Sequence, residues 1–298
     1  MISQDYQIEL RHYRYFLAVA EELHFRKAAE KLFISQPGLS TQIKQMEELL
    51  GVELFTRNKK KVQLTAAGEY LKEEAEFILN HLQQTRKQTM LIGSGALGEI
   101  RIGFLGSAMQ NVVPDLLVRL QQKYPDIHTS LEELSNQAQL NLLLKDKLDL
   151  AFVRVGRMPT GLERRTVVED TFSLVLPEDY PLEAQNFKRM SRVQDENFIL
   201  FSKEYSPEYF NTVMGICEDA GFTPKVNHKS VHALTIFRLV EKGMGLAIIP
   251  TSLTHGFDMK VKFIELKKIE QRALLSVAWK KDNRNPVLQH CLNLLLKE

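Results

Sequence analysis

The stretch that decides the fold is Phe25-Arg26-Lys27-Ala28-Ala29-Glu30-Lys31-Leu32-Phe33-Ile34-Ser35-Gln36-Pro37-Gly38-Leu39-Ser40. Ala28, Ala29 and Leu32 recur at helical spacing and predict a short helix from about Arg26 to Leu32 with these residues facing inward. Ser35 can cap the next helix, and Pro37 falls in its first turn, where a missing N–H costs little. That helix carries Leu39, Ile43, Met46 and Leu50 on one side and ends at Gly51. Upstream, Leu10, Tyr13, Phe16, Leu17, Ala20 and Leu23 predict a first helix with one buried face. Downstream, Glu53–Arg57 and Lys61–Leu64 flank Asn58-Lys59-Lys60 as a short hairpin. Three helices with a tight turn before the third, followed by a hairpin, make a winged helix-turn-helix over residues 1–65.

The third helix presents Gln36, Ser40, Thr41 and Lys44 opposite Leu39 and Ile43. Such side chains can reach base edges from a helix lying in the major groove. Arg57, Lys59, Lys60 and Lys61 place four positive charges in five residues, suited to phosphates or a minor groove. A lysine run alone is usually a solvated hairpin tip; beside this helix, DNA contact is the better reading. The whole chain has 39 Lys+Arg against 37 Asp+Glu, a net charge of +2. The attraction for DNA is therefore local.

Thr65 is a good N-cap for a long helix from Ala66 to about Leu91. Leu71, Ala75, Ile78, Leu82, Thr85, Thr89 and Ile92 alternate spacings of four and three, a seam that needs a partner. Tyr70 and Phe77 widen its apolar stripe, and the two threonines weaken it. Gly93-Ser94-Gly95-Ala96-Leu97-Gly98 then matches the glycine spacing of a dinucleotide loop. Such a loop needs a strand before it and a helix after it. Here the order is reversed, so the segment reads as a linker. Beyond it, strands at 99–105, 127–133 and 148–153 alternate with helices at 111–124 and 136–146. A second set has strands near 171–177, 197–202, 225–230 and 246–250, with helices near 207–220 and 232–242. Ser206-Pro207 and Asn285-Pro286 both read as capped helix starts. This alternation predicts two α/β lobes with mostly parallel sheets and a cleft between them.

With 298 residues, 44% hydrophobic and 26% charged, the chain can bury a core and is long enough for about two domains. There is no apolar run of membrane-spanning length. The opening MISQDYQIELRHYRY lacks the basic start and apolar stretch of a secretory leader, so a cytoplasmic protein is expected. Cys217 and Cys291 fall within apolar helical patterns and read as buried filler rather than a redox pair. There is no G-x-S-x-G elbow, H-E-x-x-H, P-loop or pair of C-x-x-C motifs, which argues against an enzyme. His228 and His232 have a metal-like spacing only on one helix, and strand turning into helix is expected there, so neither metal nor cofactor is expected.

The residues Phe25–Leu32, Ser35–Ser40, Gln42-Ile43, Glu47, Leu49, Gly51, Leu54-Phe55, Arg57, Leu64-Thr65 and Ala67-Gly68, in this order over about sixty positions, resemble the LysR-type transcriptional regulators. Ile100–Phe104, Leu148–Phe152 and Gly243–Pro250 extend the likeness along the chain. The resemblance implies that Gln36, Pro37 and Ser40 approach bases, with Arg57 and Lys60 on the backbone or in the flanking minor groove. Many members carry Arg directly after the serine; here it is Thr41, and Lys44, nearly a turn further on, replaces that charge only in part. The resemblance further implies a 66–92 linker helix that pairs antiparallel with its twin, a homodimer assembling into a homotetramer, and promoter DNA as partner, with RNA polymerase as a further one.

The implied fold is α+β and multidomain. A C-terminal two-lobed α/β domain like a periplasmic binding protein would occupy 93–298, with one lobe at about 99–168 plus 272–298 and the other at 169–271. A small anionic effector, such as a carboxylate, would sit between the lobes near Ser107, Ser135, Arg154, Phe201, Ser202 and His232. Ligands in open α/β sheets bind beyond the carboxyl ends of strands, and Arg154 can hold a carboxylate by two prongs. Alternatively Ser135 simply caps its helix, Arg154 pairs with an internal acid such as Asp149 or Glu163, His232 is an uncharged polar side chain, and Phe201 is core. The competing function is a ligand-binding protein or enzyme whose N-terminal helices serve only assembly. Changing Lys59, Lys60 and Lys61 together to Ala discriminates. Promoter affinity should fall, and the log–log salt slope should become shallower by about 0.9 for each phosphate no longer neutralised. Unchanged affinity and slope in a fluorescence-anisotropy titration would remove the hairpin from the interface.

Overall fold

The computed structural model describes residues 8–58, 61–93, 97–110, 112–255 and 258–296. The chain divides into two compact units, Met1–Met90 and Leu91–Glu298.

The N-terminal unit begins with α1 (Leu10–Glu22), α2 (Phe25–Lys31) and α3 (Gln36–Leu50). Ser35 caps α3 by accepting the Gly38 N–H at 3.3 Å, and Gly51 ends it at φ 70°, a left-handed conformation that glycine adopts without steric cost. Phe16, Val19, Ala28, Ala29, Leu39, Ile43 and Met46 meet in one core. Leu10, Leu23 and Leu50 do not join them: they are 42%, 45% and 39% exposed. Each lies in a terminal turn or just past it, where the chain leaves the core face.

Strands β1 (Phe55–Asn58) and β2 (Lys61–Leu64) pair antiparallel, with Phe55 opposite Leu64 and Asn58 opposite Lys61. Lys59 and Lys60 lie outside the described residues, as does the Arg57 side chain. Helix α4 (Ala66–Gly93) follows, capped by Thr65, whose Oγ1 accepts the Gly68 N–H at 3.0 Å and donates to the Glu53 carbonyl at 2.7 Å. Gly68 is required by close approach, because a Cβ there would lie 2.2 Å from the Leu54 carbonyl oxygen. From α3, Glu47 Oε1 accepts the Leu54 and Phe55 N–H groups at 2.9 and 3.1 Å. Along α4, Ala75 is buried, whereas Tyr70, Leu82, Met90 and Ile92 are 68%, 40%, 65% and 60% exposed. Thr85 and Thr89 turn their hydroxyls back onto the carbonyls of His81 and Thr85.

The C-terminal unit contains β3 (Gly98–Phe104), α5 (Val112–Lys123), β4 (Ile127–Glu133), α6 (Asn136–Leu144), β5 (Leu150–Val153), β6 (Leu162–Asp170), β7 (Phe172–Pro177), β8 (Asn197–Phe201), α7 (Pro207–Asp219), β9 (Lys225–Ser230), α8 (Ala233–Glu241), β10 (Ala247–Pro250), β11 (Val261–Glu265), β12 (Ala273–Lys280) and α9 (Leu288–Leu296). The first lobe is a five-stranded sheet in the order β4-β3-β5-β12-β6. The second combines β10-β7-β11 with the pair β8-β9, joined by a bridge between Phe198 and Leu246. Helices cover both faces of each sheet, over separate apolar cores.

The sheets are mixed, which corrects the expectation of mostly parallel ones. β3 runs parallel to β4 and β5, and β8 parallel to β9; β12 is antiparallel to β5 and β6, and β7 to β10 and β11. The chain passes between sheets at Thr171, from β6 to β7, and returns between β11 and β12. A strand that arrives from the other lobe needs no helical crossover and can run against its neighbour. No described helix is long and apolar enough to cross a membrane.

Phe33, in the turn before α3, is 95% exposed and has φ 56°. A left-handed backbone costs an ordinary L-residue about 1–2 kcal/mol, and Asn tolerates it better. Phe33→Asn should therefore raise the stability of this unit by up to about 1 kcal/mol in chemical denaturation. A lower midpoint would show that the Phe33 ring is held by packing.

Candidate functional site

Two places converge polar groups on otherwise apolar scaffolding. The first is the outer face of α3. Its core side, Leu39, Ile43 and Met46, is fully buried, which fixes the rotation of the helix and leaves Gln36, Pro37, Thr41 and Lys44 exposed and Ser40 half-buried. Thr41 Oγ1 donates to the Pro37 carbonyl at 3.0 Å, so its proton is engaged and its lone pairs remain to accept. Lys44 reaches Glu48 at 3.4 Å one turn on, an exposed pair that a phosphate can replace at little cost. Lys61 is exposed at the start of β2.

The second is a cavity of about 240 Å³ between the lobes of the C-terminal unit. The first lobe contributes Leu105, Gly106, Ser107, Met109, Gln110, Glu133 and Arg154; the second contributes Phe201, Tyr205, Ser206, Tyr209, Val231, His232, Ala233, Leu234, Pro250 and Leu253. Ser107, Arg154, Phe201 and His232 thus come together. Phe201 is wall and core at once, packing edge-on against Tyr209 with ring centroids 5.0 Å apart. His232 stands at the N-terminus of α8, with Nδ1 3.7 Å from Glu133 Oε1 across the cleft.

Ser135 and Ser202 are not among the lining residues, which corrects their placement in the cleft. Ser135 accepts the Ala138 N–H at 3.3 Å and caps α6. Ser202 accepts the Tyr205 N–H at 3.2 Å and donates its own N–H to the Ser230 carbonyl. Both hydroxyls stabilise backbone turns.

Arg154 follows β5 and is 7% exposed. Nη2 lies 3.7 Å from Asp170 Oδ2, Nε 3.4 Å from Ser107 Oγ, and Nη1 donates to the Ala273 carbonyl. Burial lowers its pKa to about 10, partly offset by Asp170, so it remains charged at neutral pH. The internal acid is thus Asp170. Asp149 is taken by Arg101 of β3, which grips both its oxygens at 2.8 Å. Asp170 also accepts the Ser252 N–H from the second lobe at 3.1 Å.

Sequence reasoning missed four residues here. Asn136 accepts the Arg154 N–H at 2.9 Å through Oδ1, and its Nδ2 donates to Ser206 Oγ at 3.3 Å, linking the lobes. The Ser206-Pro207 helix start is visible in the sequence, but nothing in the spacing aims that serine at Asn136. Glu133, at the end of β4, and Tyr205, just before α7, also face the cavity. The Tyr205 hydroxyl is buried; burial, then the Glu133 charge, push its pKa up to about 12, against the opposing effect of the Gly106 backbone N–H.

His228 lies in β9 and His232 stands just before α8, on different elements, and no group of three or more metal-ligating side chains occurs among the described residues. Cys217 and Cys291 are buried in separate cores, one in each lobe. Burial pushes both thiols up to about 12, so at neutral pH they are protonated and poor nucleophiles.

The model of the bacterial regulatory helix-turn-helix protein, lysR family, matches residues 10–69, and that of the LysR substrate binding domain matches residues 93–298. The chain belongs to the LysR family of transcriptional regulators. This LysR-type protein is 34% identical to the HTH-type transcriptional regulator AlsR of Bacillus subtilis, over 96% of this chain and 95% of the relative. It is 32% identical to the HTH-type transcriptional regulator BenM of Acinetobacter baylyi, over 82% of this chain and 81% of BenM. Full-length BenM superposes with a TM-score of 0.60 at 26% identity, covering 97% of this chain and 95% of BenM. Full-length CbnR in complex with its target DNA superposes with a TM-score of 0.74 at 23% identity, covering 97% and 99%, and shares the fold. This LysR-type regulator is a DNA-binding transcriptional regulator with an N-terminal helix-turn-helix and a C-terminal effector-binding domain.

Removing one member of a buried ion pair costs about 3–5 kcal/mol, because the partner's charge is left uncompensated. Arg154→Ala should therefore lower the melting temperature by roughly 6–20 °C. Arg154→Met combined with Asp170→Asn should recover most of that loss. A wild-type melting curve for Arg154→Ala would show that the pair contributes nothing to folding.

Proposed function

We propose that Gln36, Pro37, Ser40, Thr41 and Lys44 meet base edges in a major groove, while Arg57, Lys59, Lys60 and Lys61 hold phosphates or the adjacent minor groove. The winged unit, residues 1–65, reads DNA; the helix at 66–92 pairs two chains; residues 93–298 bind the effector. The effector is a small molecule with an anionic group, bound between the lobes against Ser107, Phe201 and His232, with Arg154 supplying part of the positive field. It acts by preferring one lobe arrangement, since a ligand with equal affinity for both shifts nothing. The protein is a cytoplasmic binding protein rather than an enzyme, and its homodimers associate into tetramers that place winged units at fixed spacing near RNA polymerase.

The observation that carries assembly is the apolar stripe of α4. Leu82 and Ile92 are 40% and 60% exposed on a helix whose sequence spacing from Leu71 to Ile92 is that of a seam. Such a stripe is stable in water only when covered.

Two paired winged units gain avidity of about 10²–10⁴ over one. Leu82→Glu with Ile92→Glu should convert the protein to monomers in sedimentation velocity. It should weaken binding to a two-half-site promoter fragment at least tenfold while leaving affinity for an isolated half-site unchanged. A variant that still sediments as wild type would refute pairing through α4.

A further inference from the structure

The cavity between the lobes is mainly apolar, with Met109, Phe201, Val231, Leu234 and Leu253 in its walls. Among the described residues, three ionisable groups of ordinary acid or base character face it: Arg154, Glu133 and His232. Arg154 is already matched by Asp170, by the Ala273 carbonyl and by Ser107. Glu133 is not matched in this way. Its carboxylate stands over the Gly106 backbone, where an added Cβ would come within 2.9 Å of Oε1. Among the described residues, the only basic group within ion-pair distance of it is the imidazole of His232, at 3.7 Å and itself 62% exposed. Tyr205 lies in the same lining.

The opposite lobe supplies the complement. The first turn of α8 lines the cavity through Ala233 and Leu234, and the His232 side chain makes no capping bond to it. Its N–H groups and dipole favour an anionic or accepting group there. A ligand bearing only a carboxylate would satisfy α8 while bringing a like charge toward Glu133, which disfavours it. A ligand that also carries an ammonium group next to its carboxylate satisfies both walls, the ammonium donating charge-assisted hydrogen bonds to Glu133. The volume of about 240 Å³ falls below the roughly 300 Å³ at which drug-sized sites begin, so the molecule is compact.

Building on the reading of this cleft as the effector site, we propose that the effector is a small apolar α-amino acid or a close zwitterionic analogue. Its carboxylate meets the first turn of α8, its ammonium group meets Glu133, and its side chain packs against Phe201 and Leu253. Glu133 is the residue that selects the amine.

The test is calorimetric titration of the full-length protein with apolar α-amino acids from alanine to phenylalanine. Each is paired with the 2-hydroxy acid and the plain carboxylic acid of the same skeleton. At least one amino acid should bind at least tenfold more tightly than both its counterparts. Glu133→Gln should weaken that amino acid at least tenfold and leave the plain acid unchanged or tighter. The exposed position of Glu133 predicts an unaltered melting curve for the unliganded variant. Plain acids binding wild type as tightly as amino acids would overturn the zwitterion while leaving an anion-binding cleft intact. Unchanged selectivity in Glu133→Gln would overturn the assignment of Glu133. Failure of all three series to bind would overturn both the proposal and the carboxylate reading beneath it.

Discussion

Within the C-terminal unit, the guanidinium of Arg154 is buried against Asp170, beside the strands that carry the chain from one lobe to the other. The arrangement is costly in isolation, because both charges leave water and the separation of 3.7 Å is longer than a good charge-assisted bond. Surrounding hydrogen bonds offset that cost. Asp170 accepts the Ser252 N–H from the second lobe, and the Arg154 backbone is held by Asn136, which reaches Ser206. A continuous polar chain thus runs from the first lobe through the crossover to the second.

This network changes what the cleft can recognise. A free arginine would dominate the local field and favour any anion. In the proposed reading, an arginine already paired with Asp170 supplies only part of the field and leaves more of the choice to the first turn of α8, the Ser107 hydroxyl and the carboxylate of Glu133. On that reading specificity rests on placing donor and acceptor on the correct sides, since a ligand that leaves a buried polar group unpaired binds worse than one that merely touches less of the wall.

The N-terminal fold is legible in the sequence because local signals there coincide with tertiary need. Ser35, Pro37, Gly51 and Thr65 act where their chemistry predicts, and Glu47 and Gly68 are explained by backbone groups they approach in space. The C-terminal lobes are legible as α/β, but β6, β11 and β12 escape a reading by periodicity. β6, Leu162–Asp170, carries Glu163, Arg164 and Arg165 on exposed positions, so its apolar pattern is broken. β12 and β11 lie outside the strand–helix alternation because they belong to the return between lobes. Partner choice is beyond sequence reading altogether. The sequence offers Asp149 or Glu163 as the acid for Arg154; the fold gives Asp149 to Arg101 and sets Asp170 beside Arg154 instead. Glu133 is hidden because the last residue of a strand has no periodicity to show what it faces.

The junction of Glu47, Leu54, Thr65 and Gly68 has a mechanical consequence. It ties α3, the hairpin and the start of α4 through backbone hydrogen bonds and an approach with no room for a methyl group. A helix of 28 residues is about 42 Å long. With its base clamped, it behaves as a stiff lever, and a tilt of about 5° carries one end roughly 4 Å relative to the other. That displacement exceeds the rise of about 3.4 Å between successive base pairs. A tilt of a few degrees along α4 alone thus spans a distance comparable with one step of the double helix.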